Sequence, residues 1–188
     1  INITYTANEQ SGIISYQDEA GKEISTTPLS GKTGETVTVN PEIPAGWELV
    51  PGQEIPKTVT ATAEGIPTVV IKIEHGITNV DHNNPVPDDA KTVTGEVIDG
   101  AHASDLNQTI TRTINVTNPD GTKSTEVQTA KLYRDASYDN VTGEVTYGEW
   151  STGSWEESSP AEIKGYTASE KVVPAVEVKN GQKDETIN

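Results

Sequence analysis

Between Asn107 and Thr117 the chain alternates without a break, and this limits its fold more than any other feature. Ile110, Arg112, Ile114 and Val116 fall on one face; Thr109, Thr111, Thr113, Asn115 and Thr117 fall on the other. A period of two is a strand with one buried face. Asn118-Pro119-Asp120-Gly121 follows. Proline sets φ at the second turn position, and glycine accepts a positive φ. A second strand is predicted to about Arg134. Asp139-Asn140-Val141-Thr142-Gly143 then turns the chain into a third strand, predicted to end at Trp150. Thr, Val, Ile and Tyr dominate the segment, and they suit a pleated, half-buried surface. The reading is an antiparallel meander.

Composition decides how many such sheets the chain can bury. Only 32% of the 188 residues are hydrophobic, and Phe, Met and Cys are absent. That is too little for one thick core and predicts two thin β domains, each with one buried sheet face. Without Cys there is no disulfide framework, thiol catalysis or Cys-based zinc site. The net charge of −16 argues against nucleic-acid binding, which needs a basic footprint, and against attraction to anionic membranes. No apolar run approaches the roughly 20 residues of a membrane-spanning helix.

Along the chain, strands are predicted at Ile1–Tyr5, Ile13–Tyr16 and Lys22–Thr27, with a hairpin turn at Asp18–Gly21. Pro28–Gly34 reads as loop. Strands follow at Thr36–Val39, Trp47–Val50, Thr58–Ala63 and Thr68–Glu74. Asn40–Gly46 carries two prolines and a glycine, so it holds a turn at most. Polar, proline-bearing residues 79–89 predict a linker. The first domain is then 1–78, and the second, larger one 90–188. In the second, Ala161–Ser169 could hold one helical turn, and Lys171–Val178, interrupted by Pro174, suggests an edge strand. The halves echo each other: each has a Gly-closed hairpin and a later Gly-aromatic pair (Gly46-Trp47; Gly165-Tyr166), and the second has room for one inserted hairpin. Strand-like ends predict an excerpt from a longer protein whose copies could join head to tail.

Thr111-Arg112-Thr113-Ile114, Asn118-Pro119-Asp120-Gly121, Gln128-Thr129, Tyr133-Arg134, Asp139-Asn140-Val141-Thr142-Gly143-Glu144, Tyr147, Trp150 and Gly165-Tyr166-Thr167 together resemble the second domain of the mucus-binding (Mub-type) repeats of lactobacillus surface adhesins. Ile14-Ser15-Tyr16-Gln17-Asp18, Gly21-Lys22, Ser30-Gly31-Lys32, Gly46-Trp47-Glu48-Leu49-Val50 and Ile71-Lys72-Ile73-Glu74-His75-Gly76 resemble that family's first, mucin-binding-type domain. The resemblance implies a mainly β (α+β) fold with little helix: two ubiquitin-like β-grasp domains in an elongated linear arrangement. It implies a tandem-repeat adhesin anchored to the cell wall of a Gram-positive bacterium and displayed extracellularly. The implied partners are mucin glycans and neighbouring repeats, with immunoglobulins added by analogy.

The residues offer little for an enzyme. His75, His82 and His102 share no metal-ligand spacing, and Gly31-Lys32-Thr33-Gly34 lacks the upstream glycine of a phosphate loop. No catalytic residue, metal site or cofactor is assigned, although Asp81, Asn83, Asp88 and Asp89 could offer oxygen ligands to calcium from a loop. Sugar binding needs flat apolar faces and planar polar groups. Trp155, Trp150, Tyr147 and Tyr138 gather near the inserted hairpin, with Arg134 as a cation for an acidic sugar. Trp155 lies in a polar loop and is the aromatic expected to be exposed; the alternative is that it tucks back over the sheet edge. Arg112 shares a face with Ile110 and Ile114 and reads as a structural ion-pair residue. A structural stalk repeat is the other reading of the whole.

Overall fold

The structure is a computed structural model describing residues 1–188, nearly all of it β. Two compact units divide the chain. One contains Ile1–Ile77, Lys91–Glu96 and Asp139–Gly143; the other contains Thr78–Ala90, Val97–Tyr138 and Glu144–Asn188.

In the first unit β1 (Glu9–Gln17) and β2 (Glu23–Lys32) form an antiparallel hairpin. Its turn is closed by Gly21 N–H to the Asp18 carbonyl, with Gly21 at φ 82°. β6 (Val69–His75) runs parallel to β1, and β4 (Trp47–Leu49) pairs antiparallel with β6. A small ribbon joins β3 (Thr36–Thr38) to β5 (Thr58–Thr60). The alternation of β1 and β6 buries Ile14, Tyr16, Ile71 and Ile73 completely. Trp47 packs half-buried against this cluster.

In the second unit β8 (Asn107–Thr117) and β9 (Lys123–Tyr133) repeat the arrangement. Gly121, at φ 84°, donates to the Asn118 carbonyl to close the turn. β14 (Glu185–Ile187) runs parallel to β8. Each unit therefore shows a hairpin whose first strand pairs in parallel with a late strand, the frame of a β-grasp. β7 (Ile77–Val80), β10 (Ala136–Asp139) and β11 (Val145–Tyr147) form a second sheet, and β12 (Gly153–Trp155) pairs with β13 (Val176–Val178). The only helix, α1 (Ala103–Leu106), is a single turn before β8.

Several expectations are corrected. The meander is not one sheet, because the chain leaves the β8–β9 sheet at Arg134 and enters another with β10. Its third strand ends at Tyr147, three residues before Trp150. Ile1–Tyr5 forms no strand and is exposed, having no partner strand to cover it. β2 runs through Pro28 to Lys32, which an edge strand tolerates because its outer N–H row needs no ladder partner. Ala161–Ser169 holds a turn, Tyr166 N–H to the Ile163 carbonyl, and no helix. Residues 79–89 begin with the end of β7; Val80 is buried with Ala101, Leu106 and Ala136, and Val86 packs on them.

Candidate functional site

The crossing that interrupts the meander, Tyr133-Arg134-Asp135, gathers the chemistry. Successive residues of an extended chain point to opposite sides. Arg134 goes one way, with its guanidinium carbon 3.6 Å from the Tyr147 ring centroid and 4.7 Å from that of Trp150. Its Nε donates to the Asp105 carbonyl at 2.9 Å, leaving the two Nη groups for another partner. Tyr147 is 37% exposed. Its hydroxyl lies close to Gly100, where a Cβ would sit 2.5 Å from that oxygen; the absence of a side chain at Gly100 makes room for the ring. Trp150 is half-buried against the core of Ile110, Ala130, Leu132, Trp155 and Val178. A cation bracketed by two partly exposed rings can hold an anionic group while the rings offer apolar faces.

Tyr133 goes the other way. It is 46% exposed and stacks on His82, centroids 4.0 Å apart and planes 16° apart. His82 Nδ1 is 2.7 Å from Asp135 Oδ1, which also accepts the His82 backbone N–H at 3.0 Å. These two bonds hold the Asp135 carboxyl below the usual carboxylate range.

Of the five residues expected to bind, the structure brings Arg134, Tyr147 and Trp150 together and leaves two apart. Tyr138 is half-buried against the Val80–Leu106 cluster. Trp155 is 1% exposed, and its indole N–H points to the Ile110 carbonyl at 3.3 Å. The expectation of an exposed Trp155 is therefore overturned. Its strand pairs with β13, so a local reading of its polar neighbours could not find the partner.

Arg112 lies 5.3 Å from the Trp155 ring and is also buried. It does not form the expected ion pair. Its terminal nitrogens donate to the carbonyls of Pro174 and Glu156 and to Gln128 Oε1. Gln128 in turn donates to Glu126, which also accepts from Ser158. The hydrogen bonds from Ser158 and Gln128 lower the Glu126 carboxyl, with Arg112 contributing by charge.

The first unit has a groove of its own, lined by Asp18, Glu19, Trp47, Glu74 and His75. His75 meets the Trp47 ring edge-on at 4.5 Å, and its Nδ1 is 2.6 Å from Asp139 Oδ2. Three carboxylates make this groove repellent to anions, the opposite of the Arg134 face. No helix is long and apolar enough to cross a membrane.

Comparison with known proteins places these units. The MucBP domain model matches residues 13–72, and the Muc B2-like domain model matches residues 101–188. The crystal structure of Mub-RV is similar in fold, with TM-score 0.56, 21% identity and coverage of 94% of this chain and 95% of that one. The mucin-binding domain of Spr1345 from Streptococcus pneumoniae is 35% identical, covering 43% of this chain and 85% of that one, with TM-score 0.39. The type 2 repeat of the mucus binding protein MUB from Lactobacillus reuteri is 24% identical over 95% of this chain and 96% of that one, with TM-score 0.42. A comparison with curated proteins finds no match.

Proposed function

This chain belongs to the mucus-binding repeats, a MucBP domain followed by a Muc B2-like domain, and on that premise we propose a non-enzymatic adhesin repeat that meets mucin glycans at the Arg134 face of its second unit. One observation carries the reading: the Arg134 guanidinium is bracketed by Tyr147 and Trp150, with its Nη groups uncommitted. Mucin as partner is supported by the MucBP match and by the mucin-binding domain of the streptococcal relative.

The chemistry follows from the parts. Sialylated and sulfated glycans carry an anion beside an apolar sugar face. The anion takes the guanidinium, and the sugar face takes a ring. The chain carries −16, which repels anionic glycans, so a single repeat binds weakly. Copies joined in tandem on a bacterial surface, anchored to the cell wall, gain avidity through effective concentration. Immunoglobulin is a second partner by analogy with other β-grasp surface modules.

The burial of Trp155 favours a second reading, a spacer repeat, because it removes the aromatic most expected to meet ligand. Binding to immobilised mucin by surface plasmon resonance separates the two. Arg134→Gln is expected to weaken binding about tenfold, the loss of one charge-assisted hydrogen bond of roughly 1.5 kcal/mol, while the melting temperature moves by only a few degrees. Unchanged binding would leave the spacer reading in place.

A further inference from the structure

We propose that Asp81, His82 and Asp135 form a binding site for a divalent transition-metal ion, best suited to zinc. Asp81 and His82 follow β7, while Asp135 lies at the end of the β9–β10 crossing, 53 residues from His82. Folding brings one ligand atom from each within 4.8 Å of the others. His82 Nδ1 is 2.7 Å from Asp135 Oδ1 and 3.7 Å from Asp81 Oδ1. Ligands about 2.1 Å from a tetrahedral zinc lie about 3.4 Å apart, so the present separations bracket what the ion needs.

The imidazole is also held in place. Its ring lies flat on Tyr133, its carbonyl accepts from Asn107 Nδ2 at 3.0 Å, and its backbone N–H is bound to Asp135. Asn83 Nδ2 donates to the other ring nitrogen, Nε2, at 3.0 Å, which puts the ring proton on Nδ1 facing Asp135. An ion on Nδ1 moves that proton to Nε2, and the Asn83 amide must turn so that its oxygen accepts it, as the second ring nitrogen of a metal-bound histidine requires. Two carboxylates and one imidazole suit zinc and its neighbours; calcium prefers six to eight oxygens. Water or a group from a partner would complete the coordination.

The chain supplies its own controls. His75 and His102 each meet one aspartate, Asp139 at 2.6 Å and Asp88 at 3.8 Å, without a third ligand. Chelator-stripped protein titrated with zinc chloride by isothermal calorimetry should show one saturable site. Binding should weaken at least about tenfold in His82→Gln and in Asp135→Asn, and stay unchanged in His75→Gln. His82 and Asp135 also support the local turn, so imidazole nitrogen NMR of the unmutated protein provides a second readout. Zinc should move the His82 Nδ1 signal and leave those of His75 and His102. Absence of saturable binding, binding that survives His82→Gln, or calcium binding as tight as zinc would each overturn the site.

Discussion

The two units solve the same strand problem with different cores. Each builds a hairpin on a turn closed by glycine at φ near +80°, Gly21 or Gly121, and adds a parallel strand beside the first. In the first unit the centre is neutral: Ile14, Ile71 and Ile73 surround Tyr16, whose hydroxyl lies 3.1 Å from that of Thr27 and accepts the Glu42 backbone N–H. In the second it holds a cation, Arg112, beside Trp155. The difference follows from what each core must hold. After Trp155 the second unit runs through some 20 residues with little regular structure before β13. Arg112 binds that stretch near both ends, through the carbonyls of Glu156 and Pro174. That segment, pinned across its base by the Ser158–Val173 bridge, is tied to the sheet by the buried guanidinium and by Ser158 donating to Glu126.

Mutations can break that contrast. The largest effect is expected at Trp155: replacement by alanine should destabilise the second unit by about 3–5 kcal/mol, read by calorimetry, with the first unit's transition unmoved. Arg112→Met takes away the buried guanidinium and leaves the Pro174 and Glu156 carbonyls and the Gln128 oxygen without their donor; about 2–3 kcal/mol is expected. The counterpart in the first unit, Tyr16→Phe, should cost only about 1 kcal/mol. Equal losses at Arg112 and Tyr16 would erase the distinction between the two cores.

Smaller still is the response to acid. Burial opposes the Asp139 charge, but hydrogen bonds from His75 and the backbone N–H groups of Thr142 and Val141 outweigh it and hold the carboxyl below its ordinary value. Bonds from the Thr122 hydroxyl and N–H do the same for Asp120. A carboxylate with a lowered folded pKa stabilises the fold above its unfolded value of about 4 and loses that contribution as pH falls through the folded value. The melting temperature should therefore be flat from neutral pH to about 5 and decline below about 4, less steeply in Asp139→Asn. A decline that begins near pH 6 would point to other groups.

Local patterns carried much of the fold. The alternation of Ile110, Arg112 and Ile114 showed which face is buried, and both glycine turns were visible as four-residue motifs. Long-range pairing was invisible. Trp155 looked exposed because Ser, Gly and Glu surround it in sequence, while its cover comes from Val176 and Val178. Pro28 looked like a break because nothing local reveals that β2 is an edge. Within the site, Arg134, Tyr147 and Trp150 could be nominated by residue type. Of the Asp81–His82–Asp135 group only Asp81 could be nominated, as an oxygen ligand for calcium; its pairing with His82 and Asp135 could not, because the three have no regular spacing.

The three tryptophans offer the most direct test of the proposed adhesive face, since one lies in each setting: Trp47 in the first unit's groove, Trp150 beside Arg134, and Trp155 in the second unit's core. Their indole N–H signals can be followed by NMR as sialylated mucin glycans are added. The Trp150 signal should shift in a saturable way, together with the Arg134 side chain, while Trp155 and Trp47 stay still. A shift confined to Trp47, or none at saturating glycan, would contradict the placement of mucin binding on the Arg134 face.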